Sequence, residues 1–218
     1  MIRLDVQQGS PEWAHARLGI PTASEFSRIL TPKTLRPSES AVGYHNELLA
    51  EWLLGEPLES GDDGFMRRGH VLEEDAVRYY EFERGLDVDR VGFVLRDDRR
   101  SGCSPDGLVG VDGLLEIKCP SPAMHVGYLL EAPVDKYRLQ VQGNVWIAER
   151  DWCDLLSYHP SLPPALVRCY RDDKVIKALA AVVEAFCDHL AEARARLEAR
   201  GLGPFCQAGV TDGGAANV

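Results

Sequence analysis

The amino-acid sequence predicts an α/β (α+β) fold with a central mixed sheet flanked by helices. Three observations predict it. Apolar residues recur at helical spacing across 42–54, 65–84 and 173–200. Between them the pattern changes to a period of two, as strands require. A further helical stretch, 135–149, divides those strands into two groups, which calls for helices packed on a sheet. With 218 residues, 45% apolar and 27% charged, the chain is large enough for one sizeable core. We read residues 1–206 as a single domain and 207–218, which lack periodicity, as a disordered tail.

Taken in order, a short helix is predicted over Trp13–Leu18, with a turn at Gly19–Pro21. Thr22 or Ser24 then caps a helix running to Leu30. Residues 31–40 hold two prolines and read as a loop. The helix over Val42–Leu54 ends at Gly55, and a Gly- and Asp-rich loop covers 56–64. The helix over 65–84 ends at Gly85. Val91, Phe93 and Leu95 mark a strand. Strands over Leu108–Val111 and Leu114–Cys119 follow, with a hairpin signal at Val111-Asp112-Gly113. In the second of these, Leu115, Ile117 and Cys119 share one face and Glu116 and Lys118 the other. Strands over Cys153–His159 and Leu166–Tyr170 precede the last helix, whose Ile176, Leu179, Val183, Phe186 and Leu190 form its buried stripe.

Composition excludes several classes. Lys and Arg total 24 against 34 Asp and Glu, a formal charge of −10, so a tail-driven binder of nucleic acid is not expected. No apolar run reaches eighteen residues, and the opening MIRLDVQQGSPEW lacks the apolar core of a signal peptide, so a cytoplasmic location without membrane contact is expected. The six cysteines are scattered with no C-x-x-C pair, which argues for reduced thiols and against disulfides or zinc.

The chemistry concentrates in Ser104-Pro105-Asp106-Gly107 and Leu115-Glu116-Ile117-Lys118-Cys119-Pro120. The hairpin brings Asp106 beside Glu116, and Lys118 stands on the same face as Glu116. Two carboxylates are hard ligands suited to Mg²⁺, the Ile117 carbonyl is a further candidate, and a lysine can position or deprotonate a water or offset charge on a phosphorane-like transition state. Alone, a Glu-x-Lys on a strand is ordinarily a solvated face, and an Asp-Gly after proline ordinarily a turn. The ordered combination is more specific and points to phosphodiester hydrolysis.

Together with further motifs, this stretch resembles the PD-(D/E)XK nuclease superfamily, and within it the lambda exonuclease or YqaJ-type phage recombination nucleases. The similarity runs over roughly residues 7–200. It is carried by Gln8-Gly9-Ser10-Pro11-Glu12-Trp13, Arg17-Leu18-Gly19, Thr22-Ala23-Ser24-Glu25, Gly69 followed by Glu73, the two stretches above, and Gln140-Val141-Gln142. The resemblance implies a restriction-endonuclease-like fold and a Mg²⁺-dependent exonuclease on linear double-stranded DNA. It would digest one strand 5′→3′ and leave a 3′ overhang for recombination by strand annealing. Asp106 and Glu116 would be the principal metal ligands, and Glu73 would assist a second metal. The implied cofactor is Mg²⁺, two per site, with Mn²⁺ as a substitute. Lys118 would orient the attacking water, and Gln140 would bond to the scissile phosphate or to Lys118. Arg17 and Ser24 would grip a 5′-phosphate, Arg by bidentate contact and Ser24 near a helix start, where anions are favoured. The implied partners are double-stranded DNA ends, a single-strand annealing protein of the Bet/RecT type, and two further copies of the chain in a ring-shaped homotrimer.

Outside these motifs, His70 is expected no nearer than beside the ligands, and Trp13 is expected in the core. A structure-specific or restriction-type DNA endonuclease, or a non-catalytic DNA-end-binding protein, remains an alternative on the Asp/Glu-x-Lys residues alone. The charge is unevenly spread: residues 17–37 carry Arg17, Arg28, Lys33 and Arg36 against the single acid Glu25, and Arg67 and Arg68 precede Glu73. A narrow basic path on an acidic exterior is therefore expected.

Overall fold

The computed structural model describes residues 1–58 and 63–204, with side chains throughout except over 63–71. The expectations for the 207–218 tail, Cys206 and the side chains of Arg67, Arg68 and His70 lie outside the described residues.

The larger sheet contains β2 (Val88–Asp89), β5 (Gly107–Val109), β6 (Gly113–Lys118), β7 (Trp152–Ser157) and β8 (Ala165–Tyr170), side by side in that order. All neighbours are antiparallel except β6 and β7, which run parallel from Gly113↔Trp152 to Lys118↔Ser157. A parallel pair needs a crossover, and α5 (Pro122–Leu130) and α6 (Val134–Ile147) supply it. A smaller sheet joins β1 (Ile2–Leu4), β3 (Phe93–Leu95) and β4 (Gly102–Cys103), with β3 in the centre. The mixed sheet with flanking helices agrees with the predicted class.

Helices cover both faces of the larger sheet. On one side α6 and α7 (Asp173–Glu198) pack with α2 (Phe26–Ile29) and α3 (Ala41–Leu54) around Leu114, Val145, Trp146, Cys153 and Leu179. On the other, Ala76, Val77 and Tyr80 of α4 (Asp63–Arg84) pack on Leu115, Ile117 and Leu156. Strand β6 is therefore buried on both faces, and Glu116 is a core residue rather than part of a solvated face.

Several boundaries differ from expectation for local reasons. The first helix, α1, is Pro11–Ala16, started by the Ser10 hydroxyl accepting from the Trp13 N–H with Pro11 in the first turn. The helix expected up to Leu30 splits into a 3₁₀ turn at Ala23–Glu25 and then α2. Thr22 does take the N-cap position of the 3₁₀ turn, but its side chain makes no capping bond, and its hydroxyl pairs with that of Ser24 at 3.2 Å instead. The hairpin turn lies one residue earlier than its signal, since Gly113 already pairs with Val109. Strands β1 and β4 were not anticipated, being two or three residues long and defined by distant partners, such as Ile2↔Leu95. Helix α5 was also missed, although Ser121-Pro122 begins it. The five cysteines among the described residues are all free.

Candidate active site

The antiparallel register of β5 on β6 sets Gly107 against Leu115, which leaves Asp106 opposite Glu116. Asp106 Oδ2 accepts the backbone N–H of Ile117 at 2.5 Å. Glu116 projects towards α6, whose Gln140 and Asn144 lie one turn apart. Gln140 Nε2 donates to Glu116 Oε1 at 2.6 Å, and Asn144 Nδ2 donates to Oε2 at 2.8 Å. Lys118 Nζ donates to Glu116 Oε1 at 2.7 Å and to Gln140 Oε1 at 3.1 Å. The structure thus brings together Asp106, Glu116, Ile117 and Lys118, and with them Gln140, which the family resemblance had pointed to. It adds Asn144, which sequence reasoning missed although it shares a helix face with Gln140.

Charge at this point is unbalanced. Burial, then the charges of Glu116 and of Glu73, push the Asp106 carboxyl well above its ordinary range, against the opposing Ile117 N–H and Lys118. Glu73, half-buried on α4, is close enough to contribute to that repulsion. Burial works against the Lys118 ammonium, yet Glu116 and Asp106 outweigh it and raise the Lys118 pKa. Lys118 is therefore held as a cation suited to orienting a water and offsetting negative charge, and is a poor proton acceptor. Beside it, Cys119 is pushed up to about 12 by burial and by Glu73 and Asp106, so it stays a thiol.

The residues present suit a hard divalent cation. Two buried carboxylates repel each other, and a cation between them would relieve the repulsion that raises Asp106. Among the described residues no group of three or more His, Cys, Asp or Glu side chains is arranged to hold a metal ion, so the protein's own acidic donors at this point are Asp106 and Glu116.

The segment before and in α1 fastens the loop that carries Asp106. Gln8 Nε2 donates to the carbonyls of Val91 and Pro105, both at 2.9 Å. Trp13 Nε1 donates to Ser104 Oγ at 2.9 Å and to the Gly92 carbonyl at 3.1 Å. Gly92 lets the Val6 backbone pass close by, since a Cβ there would stand 1.7 Å from the Val6 carbonyl oxygen. Trp13 is half-buried, which corrects its expected place in the core: its indole N–H clamps a loop, and its ring carries the Arg17 guanidinium at 4.0 Å.

Arg17 and Ser24 are less tightly grouped. Arg17 is depressed below the usual arginine range by burial, so a buried anion would be favoured beside it. It lies close enough to Cys103 for its charge to act there, as does that of Glu116. Ser24 is exposed, and its hydroxyl meets Thr22. Of the basic residues expected to form a path, Arg28 is held bidentately by Glu47 at 2.7 Å and so is not free for it.

A mixed five-stranded sheet with helices on both faces, and carboxylates opposed across β5 and β6, defines the restriction-endonuclease-like class. Residues 12–151 match the family model described as the YqaJ-like viral recombinase domain. The chain belongs to that family. It is 33% identical to an alkaline exonuclease (LHK-Exo) from Laribacter hongkongensis, with 88% of this chain and 98% of that one covered and a TM-score of 0.79. A structure of LHK-Exo in complex with dAMP gives 34% identity with the same coverage and TM-score. A phage-related exonuclease from Haemophilus somnus 129PT shares the fold at 16% identity and a TM-score of 0.64, over 82% and 96% of the two chains. No protein of curated function matches the sequence. No helix among the described residues is long and apolar enough to cross a membrane.

Proposed function

We propose that this chain is a Mg²⁺-dependent exonuclease that digests one strand of linear double-stranded DNA 5′→3′ and leaves a 3′ overhang for strand annealing. The observation that carries the reading is the convergence of buried Asp106 and Glu116 with Lys118 and Gln140. The likeness to LHK-Exo, which binds dAMP, supports DNA as the substrate.

In this reading Asp106, Glu116 and the Ile117 carbonyl hold the metal, and Glu73 assists a second one. Mn²⁺ substitutes for Mg²⁺. When bound, the metal supplies Lewis-acid polarisation of the phosphoryl oxygen and a water of lowered pKa. Asn144 and Gln140 fix the two oxygens of Glu116, so the carboxylate meets its ligand without reorienting. Lys118 donates to the attacking water and offsets charge as the phosphorus becomes five-coordinate. Gln140 accepts from Lys118 through Oε1, and its Nε2–H, which donates to Glu116, would turn to an oxygen of the scissile phosphate. Arg17, backed by Trp13, and Ser24 take the terminal 5′-phosphate. Family resemblance further supports a homotrimeric ring around the duplex and a partner of the Bet/RecT annealing type, acting in the cytoplasm.

The test is release of nucleotides from a 5′-phosphorylated linear duplex, with the 3′ and 5′ ends labelled separately. We expect Mg²⁺-dependent loss from the 5′ end, slower release when that end is dephosphorylated, and no attack on closed circular DNA. Asp106→Ala and Lys118→Ala should each reduce the rate at least about 10²-fold. Full activity in either variant, or cutting of closed circles, would overturn the reading.

A further inference from the structure

One face of α6 carries Lys136, Tyr137, Gln140 and Asn144 at helical spacing. It runs from exposed Lys136, through half-buried Tyr137 and Gln140, to buried Asn144. The buried end holds Glu116. The exposed end has no assigned role, and its chemistry is unusual for a surface. Lys136 Nζ donates to Tyr128 Oη of α5 at 2.7 Å, and Tyr128 and Tyr137 join hydroxyls at 3.1 Å. The two rings meet edge to face, with centroids 6.2 Å apart. The Tyr137 ring carries two ammonium groups, Lys118 at 4.8 Å and Lys136 at 5.1 Å. A carboxylate partner would neutralise Lys136, whereas neutral phenols and ring faces orient it and leave its charge available.

We propose that Lys136, oriented by Tyr128 and Tyr137, is a phosphate subsite for the phosphodiester group next to the one hydrolysed. This rests on the nuclease reading above and extends it. The Tyr137 ring spaces two cations, one inside the reaction centre and one on its open rim. A strand whose scissile phosphate lies at Lys118 would run along this face of α6, and its neighbouring phosphate would meet Lys136.

The experiment measures binding of a fluorescent linear duplex by anisotropy, with Ca²⁺ in place of Mg²⁺ so that DNA is not consumed, over a series of KCl concentrations. Lys136→Gln should weaken binding and reduce the slope of log K against log salt by about 0.9, the loss of one phosphate contact. Lys136→Arg should restore the slope. Tyr128→Phe, which releases the ammonium from its donor-acceptor chain, should weaken binding less than Lys136→Gln. With Mg²⁺, Lys136→Gln should raise KM several-fold and leave kcat within about twofold. Unchanged affinity and slope in Lys136→Gln, with wild-type protein binding and degrading DNA, would overturn the subsite and leave the nuclease reading intact. Wild-type protein that neither binds nor degrades DNA would overturn both. Because Lys136 is exposed, its substitution does not threaten folding.

Discussion

At the scale of single residues, Glu116 depends on its neighbours more than on its own position. A carboxylate this buried is costly unless each oxygen has a donor, and Lys118, Gln140 and Asn144 provide them. Asn144→Ala would leave Oε2 without its buried partner, with an expected loss of about 1–3 kcal/mol in unfolding free energy. The same variant should lower kcat more than it alters KM, since Glu116 would be misaimed while the DNA surface remained intact. Asn144→Asp should be worse, adding a fourth acid to Asp106, Glu116 and Glu73, which already repel. Urea melts and steady-state kinetics on the two variants would check this, and wild-type values in both would refute the role.

At the scale of elements, α4 is joined to the sheet by a buried ionic node. Asp154 of β7 accepts the Tyr80 hydroxyl at 2.7 Å and both Nε and Nη2 of Arg168 at 2.8 Å, with Arg84 at 3.9 Å. Tyr80 lies seven residues after Glu73, on the same helix face, so this node determines how Glu73 is presented. Asp154→Ala strands Arg168 and the phenol, with an expected cost of about 3–5 kcal/mol. Tyr80→Phe removes only one bond and should cost about 1 kcal/mol, with a measurable fall in activity through Glu73. Thermal melts alongside rates would separate the two effects. The sequence made α3, α4 and α7 legible because each repeats its apolar residues over several turns, whereas α6 is buried on most sides over 139–147 and shows no such stripe. The hairpin carrying Asp106 and Glu116 was legible because its spacing is local. The clamp by Gln8 and Trp13 was not, since no local pattern tells an indole to seek a serine 91 residues away. The Asp154 node was hidden for the same reason, as an aspartate in an apolar strand has no readable partner.

At the scale of the whole molecule, the net charge of −10 and the metal are one question. Without metal, Asp106 binds its proton more tightly when folded than when unfolded. The stability it contributes is full below the ordinary aspartate value of 3.8 and is lost as pH rises through its raised value. A divalent cation bound as proposed would reverse that penalty by binding the ionised form, and it would compete with the proton. Saturating Mg²⁺ should therefore raise the Tm more at about pH 8 than at about pH 5.5, and apparent Mg²⁺ affinity should improve as pH rises. Asp106→Asn should abolish most of the increment. Scanning calorimetry with and without Mg²⁺ at both pH values tests this, and a pH-independent increment would count against metal at Asp106.

The clamp on the Asp106 loop also has a consequence in time. Gln8 and Trp13 close chain loops of 97 and 91 residues, and β1 closes another onto β3. Closing a hundred-residue loop costs about 2 kcal/mol more entropy than closing a ten-residue one. Contacts of such long range form late, after the local helices and the β5–β6 hairpin. Refolding chains should thus recover their far-ultraviolet ellipticity before they recover nuclease activity, with Trp13 fluorescence following the slower phase. A chain still being synthesised would carry Glu73, Asp106 and Glu116, every acid proposed for the site, by the time Glu116 emerged. Its first residues would have to travel back across those ninety positions before the site was held in its working shape.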